Sequence, residues 1–497
     1  MEDSQREIVE FLARSETYGI AGPVETIATH ISRVFLAGQR VYKLKRAVRF
    51  PYLDFTDPKV RERACADEVR LNRRTAPDLY LDMMAVTRDD RGQLQLGGDG
   101  SAVEWLVVMR RFDQDLLFDR LAQSGRLTMA HMDELAEILF RFYDRAEIDR
   151  RRGGRAAIAG VVDESEALLA RLSRGRLDTA KIARTIARAR AHLDRVGALL
   201  DRRRDDGWIR RCHGDLHLRN IVLLDGHPTP FDCIEFNDDF AVIDVLYDVA
   251  FLLMDLEHRR LRDLANALLN RTLDHSGDVG ALQLLPLFLA VRATVRCHVD
   301  AAQEKFAEAA EYLDLALAFL EPPPPGLFAV GGLSGSGKSS LARTIAPAIG
   351  AAPGAVVIRS DVTRKRLAGV GLFERLDAES YTPEMSARVY AQLIEDAERA
   401  LAGGHSVVLD AVYARPEERA TARALAERVG VPFVGFWLDV PLAVRAVRIG
   451  GRAKDASDAT IAVTRDQESY DLGPMDWRVL DASSDLESLK KQALAAM

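Results

Sequence analysis

The sequence predicts a chain of two bodies, one α+β and one α/β, and three observations carry that expectation. At 497 residues the chain is longer than one hydrophobic core organises. A composition break, Glu321-Pro322-Pro323-Pro324-Pro325-Gly326, interrupts it, and consecutive prolines favour extended, semi-rigid backbone over helix. Upstream of the break, short strand patterns give way to long helical ones. Downstream, apolar runs of strand length alternate with helical stretches, which is the pattern of a mostly parallel sheet. The expected division is a body over 1–321, a linker over 322–326 and a body over 327–497, each with its own core and each expected to fold alone.

Composition narrows the class. Hydrophobic residues at 48% and charged residues at 29% describe an ordinary globular protein, and a net charge of −7 gives no overall basic field for nucleic acid. The cysteines, Cys65, Cys212, Cys233 and Cys297, lack metal-ligand spacing and are too sparse for a disulfide framework, so buried reduced thiols in a cytoplasmic protein are expected. Met1-Glu2-Asp3-Ser4 is acidic and lacks the basic start of a signal peptide. The apolar run Ala281 to Val291 reads as too short to span a bilayer and contains Pro286, so no membrane association is expected.

In chain order, Ile8, Phe11 and Leu12 form a short amphipathic helical stripe. Strands over Val34–Leu36 and Val41–Lys45 follow, joined by a turn at Ala37-Gly38-Gln39-Arg40, and period-two alternation puts Lys43 and Lys45 on one face. A helix is expected from Val60 to Arg74, carrying Glu62 and Glu68. Strands near Met83–Val86, Gln93–Leu96 and Val103–Met109 complete a small sheet, and Met109-Arg110-Arg111-Phe112 falls at its exit. From Asp115 to Asp206 the pattern is helical and rich in arginine, including Arg150-Arg151-Arg152. Interleaved Asp and Glu favour solvated helix faces over a basic patch for phosphates or nucleic acid.

Cys212-His213-Gly214-Asp215-Leu216-His217-Leu218-Arg219-Asn220 lies between two apolar segments and reads as a tight loop feeding a buried strand. Asp215 precedes Asn220 by five positions, the spacing of the protein-kinase catalytic loop. The form His-Gly-Asp-Leu-His-x-x-Asn resembles the aminoglycoside phosphotransferase family, a small-molecule branch of the kinase fold. Phe231-Asp232-Cys233-Ile234-Glu235-Phe236, after the turn Asp225-Gly226-His227-Pro228, and Tyr247-Asp248-Val249-Ala250 extend the resemblance. It implies a bilobal protein-kinase-like domain that uses ATP and magnesium (Mg2+). Asp215 would take the proton of an acceptor hydroxyl, Asn220 and Glu235 would hold magnesium, and Asp248 would support the loop. Glu235 stands where the family has Asp, and Asp232 and Asp238 are near enough to substitute. By the same resemblance Lys43, preferred over Lys45 because it follows Val41-Tyr42, would hold the nucleotide phosphates with Glu68 as its partner. Thr29-His30-Ile31-Ser32 would cover the nucleotide without a Gly-rich loop.

Beyond the prolines, Leu327-Phe328-Ala329-Val330 runs into Gly332-Leu333-Ser334-Gly335-Ser336-Gly337-Lys338-Ser339, with Ser340 next. This is the full Walker A pattern in its required strand–loop–helix context, so a P-loop NTPase domain with a mostly parallel sheet is expected. Glycines let backbone N–H groups wrap a phosphate, Lys338 reaches the β/γ-phosphates, and the Ser339 hydroxyl binds magnesium. Strands ending at Arg359-Ser360-Asp361, at Asp410 and at Asp439-Val440-Pro441 follow.

This half resembles the small P-loop kinases: polynucleotide kinase, chloramphenicol phosphotransferase and zeta-toxin-like proteins. The resemblance implies that Asp361 activates the acceptor hydroxyl and Arg364 binds the acceptor. Asp410 would be the Walker-B-like carboxylate. Arg445, Arg448 and Arg452, with Ser457-Asp458-Ala459, would form a phosphate-neutralising lid. A small-molecule hydroxyl acceptor is expected for both halves. A nucleic-acid 5′-hydroxyl is the alternative for the second, with the first half then a nucleotide-binding regulator. A mechanical ATPase is disfavoured because no oligomeric sensor motif is seen. The acceptors and the oligomeric state are not legible.

Overall fold

The computed structural model describes residues 5–50, 53–450, 456–458 and 460–497. The chain divides into two compact units, Met1–Ala157 with Leu199–Leu252, and Ile158–Ala198 with Leu253–Met497.

The first unit is built on a six-stranded antiparallel sheet of β1 (Glu25–Ala28), β2 (Ser32–Ala37), β3 (Arg40–Lys45), β4 (Tyr80–Arg88), β5 (Leu94–Leu96) and β6 (Ser101–Arg110). The strand order is β1-β2-β3-β6-β4-β5. Alternation along β3 sends Tyr42 and Leu44 to one face, where they meet Phe35, Leu106, Val108 and the helix Arg6–Leu12 through Ile8 and Leu12. Val41 goes to the other face and packs with Cys65 and Val69 of the helix Pro58–Asn72. That helix starts on Asp57, whose side chain accepts the Lys59 amide, with Pro58 in its first turn. β1 has no apolar residue pattern to mark it in the sequence, and its pairing with β2 makes Thr29–Ile31 the tip of a hairpin.

Later in this unit come β7 (Ile209–Arg211), β8 (Ile221–Leu224), β9 (His227–Pro230) and β10 (Val242–Asp244). β8 and β9 form one antiparallel ribbon and β7 and β10 another, so the 212–220 loop leaves β7 and enters β8. The Arg203 guanidinium clamps the Asp244 carboxylate bidentately in the interior at 2.7 and 2.9 Å. That holds the end of β10 in place.

The second unit holds a five-stranded, wholly parallel sheet of β11 (Leu327–Gly331), β12 (Val356–Arg359), β13 (Val407–Asp410), β14 (Phe433–Asp439) and β15 (Arg478–Asp481). Its order is β12-β13-β11-β14-β15, so β11 is the point where the strand order reverses. Val330, Val357, Val408, Phe436 and Leu438 pack against Leu341 and Ile345 of the helix Lys338–Ile345. β15, exposed except at Leu480, was not expected from the sequence.

The proline segment lies inside this second unit, so packing divides the chain elsewhere than at 322–326. The reason is visible in the bonds that cross it. On the helix Arg262–Ser276, Asn266 and Asn270 donate to the Ala355 carbonyl at 3.0 and 3.2 Å, and Asn270 accepts the Val357 amide at 2.7 Å. His405 donates to the Leu282 carbonyl at 3.0 Å. The apolar run is also longer than expected. Val279–Ala302 is 24 residues, long and apolar enough by composition to cross a membrane. Of its most apolar window 78% is buried in the protein, as in a core helix. The four cysteines are free and buried.

Candidate active sites

The first site forms where β3 faces the helix Pro58–Asn72. Lys43 Nζ lies 2.8 Å from Glu68 and 2.6 Å from Asp232. Lys45, on the same face, pairs with the other Glu68 oxygen and with Glu235. Burial alone would lower the Lys43 ammonium, but Asp232 and Glu68 hold it well above its ordinary value. Burial would raise Glu68, but Lys43 and Lys45 pull it down to about 2. The expected Lys43–Glu68 pair is therefore present, extended by a second lysine, Lys45.

The two carboxylates of the following segment take different places. Burial pushes Glu235 up against the pull of Lys45, and its side chain is 4% exposed. Asp232, at 44%, faces outward beside Lys43 with φ 61°, a conformation few non-glycine residues adopt. This corrects the expectation that Glu235 stands in for the family's metal-binding Asp: its carboxylate is sequestered by Lys45. Asp238 pairs with Arg211 and Arg152.

The 212–220 loop is held from beneath. Asp248 accepts the His213 amide at 3.0 Å, the Gly214 amide at 2.9 Å and the Tyr143 hydroxyl at 2.9 Å. Gly214 has φ 84°, and a Cβ there would meet the Phe240 carbonyl at 2.8 Å, so no Arg fits at this position. Asn220 Nδ2 donates to the Asp215 carbonyl and carboxylate, both at 3.0 Å, and His217 Nε2 stands 3.4 Å from the same carboxylate. Asp215 and Asn220 are thus brought together, with Asp248 in its expected supporting place.

The second site lies at the carboxyl end of β11. A Cβ on Gly332 would meet Ser336 Oγ at 2.7 Å and the Leu438 carbonyl at 2.9 Å, and one on Gly335 the Arg445 carbonyl at 2.7 Å. Only glycine fits at these two positions of the loop. Within it Ser336 Oγ is buried without a partner among the described residues, which fits a phosphate oxygen. Gly337 caps the helix Lys338–Ile345, and Lys338 Nζ folds back to the Leu333 carbonyl at 3.2 Å. Ser340 is exposed.

Arg359, at the end of β12, bridges the two expected metal ligands. Its Nε is 3.2 Å from Asp410 and its Nη2 is 3.2 Å from Ser339 Oγ. Asp361 opens the next helix, Ser360–Ala368; burial pushes its carboxyl up, with Arg359 and the Ser457 hydroxyl opposing. Arg364 donates to the Ser380 carbonyl at 2.8 Å and stacks at 5.1 Å under the exposed ring of Tyr381. Asp458 joins this wall by accepting from the Leu376 amide and the Tyr381 hydroxyl, each at 3.1 Å.

The arginines expected to form an open lid do something else. Arg445 is buried, donates to the Val440 carbonyl at 3.1 Å and the Ser334 carbonyl at 3.4 Å, and pairs with Glu468. Arg448 donates to the Ser336 carbonyl at 3.2 Å and the Ala482 carbonyl at 2.8 Å. Both therefore grip the outer, carbonyl side of the loop. Arg452 lies outside the described residues. Gln467, which no sequence signal marked, accepts the Ser334 amide at 2.7 Å. Arg359 was visible as the neighbour of Asp361, but nothing in the sequence indicated that it reaches Ser339. Tyr381 had no motif.

Residues 327–470 match the AAA domain family. The uncharacterised protein Rv2004c of Mycobacterium tuberculosis is 32% identical over 468 residues, 90% of this chain and 91% of its own length. The adenylyl-sulfate kinase of Myxococcus xanthus is 31% identical over 187 residues, 33% of this chain and 90% of that enzyme. Among solved structures, a choline/ethanolamine kinase family protein from Mesorhizobium loti shares 13% identity with a TM-score of 0.36. It covers 64% of this chain and 99% of its own.

Proposed function

This chain belongs to the family of that mycobacterial protein, and we propose that it is an ATP- and magnesium-dependent phosphotransferase with two sites. Each passes a phosphoryl group to a hydroxyl of a small sugar-, aminoglycoside- or nucleoside-like molecule in the cytoplasm. One observation carries the reading. Each site holds a lysine for phosphates and a carboxylate able to take a proton: Lys43 is fixed by Glu68 and Asp232 while Asn220 holds Asp215, and the Lys338 charge acts on Asp361.

ATP supplies the transferable group and magnesium neutralises its charge. In the first site Lys43, fixed by Glu68, would hold the phosphates, and Asn220 with Asp232 the metal. Asp215 takes the acceptor's hydroxyl proton as the acceptor oxygen bonds to phosphorus and the bond to the leaving diphosphate breaks. In the second site the Gly335 and Gly337 amides, the Ser336 hydroxyl and Lys338 would hold phosphates, and Asp361 has the base's role. Ser339 and Asp410 have the donor chemistry for magnesium, with Arg359 now lying between them. Arg364 and Tyr381 form a wall beside Asp361 that an acceptor could lie against.

The test is transfer from γ-labelled ATP to sugars, aminoglycosides, nucleosides and 5′-hydroxyl oligonucleotides by the full chain and by its Asp215→Asn and Lys338→Ala variants. Each variant should lose one set of products and keep the other. Labelling of oligonucleotides alone, abolished by Lys338→Ala and untouched by Asp215→Asn, replaces this reading with a polynucleotide kinase carrying a regulatory first half. No transfer at all, with ATP turnover indifferent to both changes, rejects phosphotransfer.

A further inference from the structure

The first unit contains a cavity of about 460 Å³ lined by Glu147, Asp149, Arg151, Arg152, Arg211, Asp238 and Val242. Its size is that of a small-molecule site, which runs about 300–1,000 Å³. Its position follows from the ribbon that carries it. Arg211 and Val242 are paired partners at the end of β7 and β10 from which the 212–220 loop leaves. Asp238 begins the turn of helix that follows the Asp232–Glu235 segment. The two stretches that hold Asp215 and Asp232 therefore both run into this cavity's wall.

The lining decides what the cavity takes. Six of the seven side chains are charged, three of each sign, so it offers no net charge to attract a cation or an anion. Arg211 is 2.6 Å from Asp238, Arg152 is 3.2 Å from Asp238 and 2.6 Å from Asp239, and Asp149 accepts the amides of Arg151 and Arg152 at 2.6 and 2.9 Å. A carboxylate or guanidinium already in a pair still has lone pairs or N–H groups to offer a ligand. Hydroxyl groups, which donate and accept at once, match such a wall. A polycation needs a surplus of acids, and a quaternary ammonium needs an aromatic cage.

We propose that this cavity is the acceptor pocket of the first site and takes a neutral polyhydroxylated molecule, a monosaccharide or cyclitol. The inference rests on the phosphotransferase reading above. The acceptor hydroxyl gives its proton to Asp215, its oxygen takes the γ-phosphorus, and the bond to ADP breaks.

The experiment uses the full chain carrying Lys338→Ala, which silences the second site. Labelled ATP is offered with neutral hexoses and inositols, with aminoglycosides, and with choline. Label is expected on a neutral polyol. Asp238→Asn and, separately, Arg152→Ala, which lies in an exposed loop, should each raise its KM at least about tenfold, the loss of one charged hydrogen bond. Nucleotide affinity at the first site, measured by calorimetry, should stay the same. A first site that binds ATP but labels aminoglycoside or choline overturns the pocket alone, as does an unchanged KM in both variants. A first site that binds no ATP defeats the phosphotransferase reading and the pocket with it.

Discussion

Asp215→Asn keeps the shape of the side chain and its bond from Asn220 while removing the carboxylate. First-site transfer should fall about 10²–10⁴-fold with nucleotide affinity held, as read by single-turnover labelling beside calorimetry. The carboxylates twenty residues on should behave oppositely to each other. Asp232→Asn, at the exposed position beside Lys43, should raise the magnesium concentration needed for half-maximal transfer. Glu235→Gln should leave that requirement alone and lower the melting temperature, because it strips a buried partner from Lys45. His405 supplies a pH dependence. Burial, against its bond to the Leu282 carbonyl, lowers its pKa to about 4. Between about 6.5 and 4 the unfolded chain then binds a proton that the folded one does not. Stability is full above about 6.5 and declines as pH falls through that window, by up to roughly 3 kcal/mol. Urea unfolding across pH 7 to 4 should show the slope, and His405→Gln should flatten it. At this scale the sequence was informative wherever a choice depended on local spacing. Strand phase puts Lys43 and Lys45 on one face, a five-residue interval links Asp215 to Asn220, and the choice of Lys43 with Glu68 comes from the resemblance. Asp232 against Glu235 was not legible, because it depends on a left-handed backbone at Asp232 and on a lysine far back in the chain.

At the scale of elements, the helix Leu442–Gly450 is the case where pattern misleads. Arginines one turn apart read alike whether they reach into a site or brace its back, and Arg445 and Arg448 brace it. With Gln467 on the Ser334 amide they fix the loop in its phosphate-ready curve before any ligand arrives. Arg448→Met should therefore weaken nucleotide binding at the second site about five- to tenfold, since each such bond contributes about 1–1.5 kcal/mol. The maximal transfer rate at saturating ATP should change little. A collapse in rate with unchanged affinity would instead mean that Arg448 meets the transferring group itself. The strands legible in the sequence were those with clean alternation or an apolar run. β1 was not, because all four of its residues are exposed, nor was β15, whose pattern is exposed except for Leu480, and β9 begins at His227, where Pro228 reads as turn.

For the whole molecule, Asp215→Asn combined with Lys338→Ala should leave first-site products about 10²–10⁴-fold down and no second-site products, and any larger residue would reveal a third route. The proline run marked a change of composition correctly, yet composition does not report which helices the second sheet recruits. A fragment starting at Leu327 should be found in large species by light scattering, whereas the intact chain should not. The cause is the pair Asn266 and Asn270. β12 is the outermost strand of the second sheet, and its free side would present an unpaired amide and carbonyl to any passing chain. The two asparagines fill those positions with side-chain amides, a false strand that gives a neighbouring molecule nothing to extend. The helix that carries them therefore guards against β-addition between copies, and Asn270→Ala in the intact chain should open that route to polymerisation.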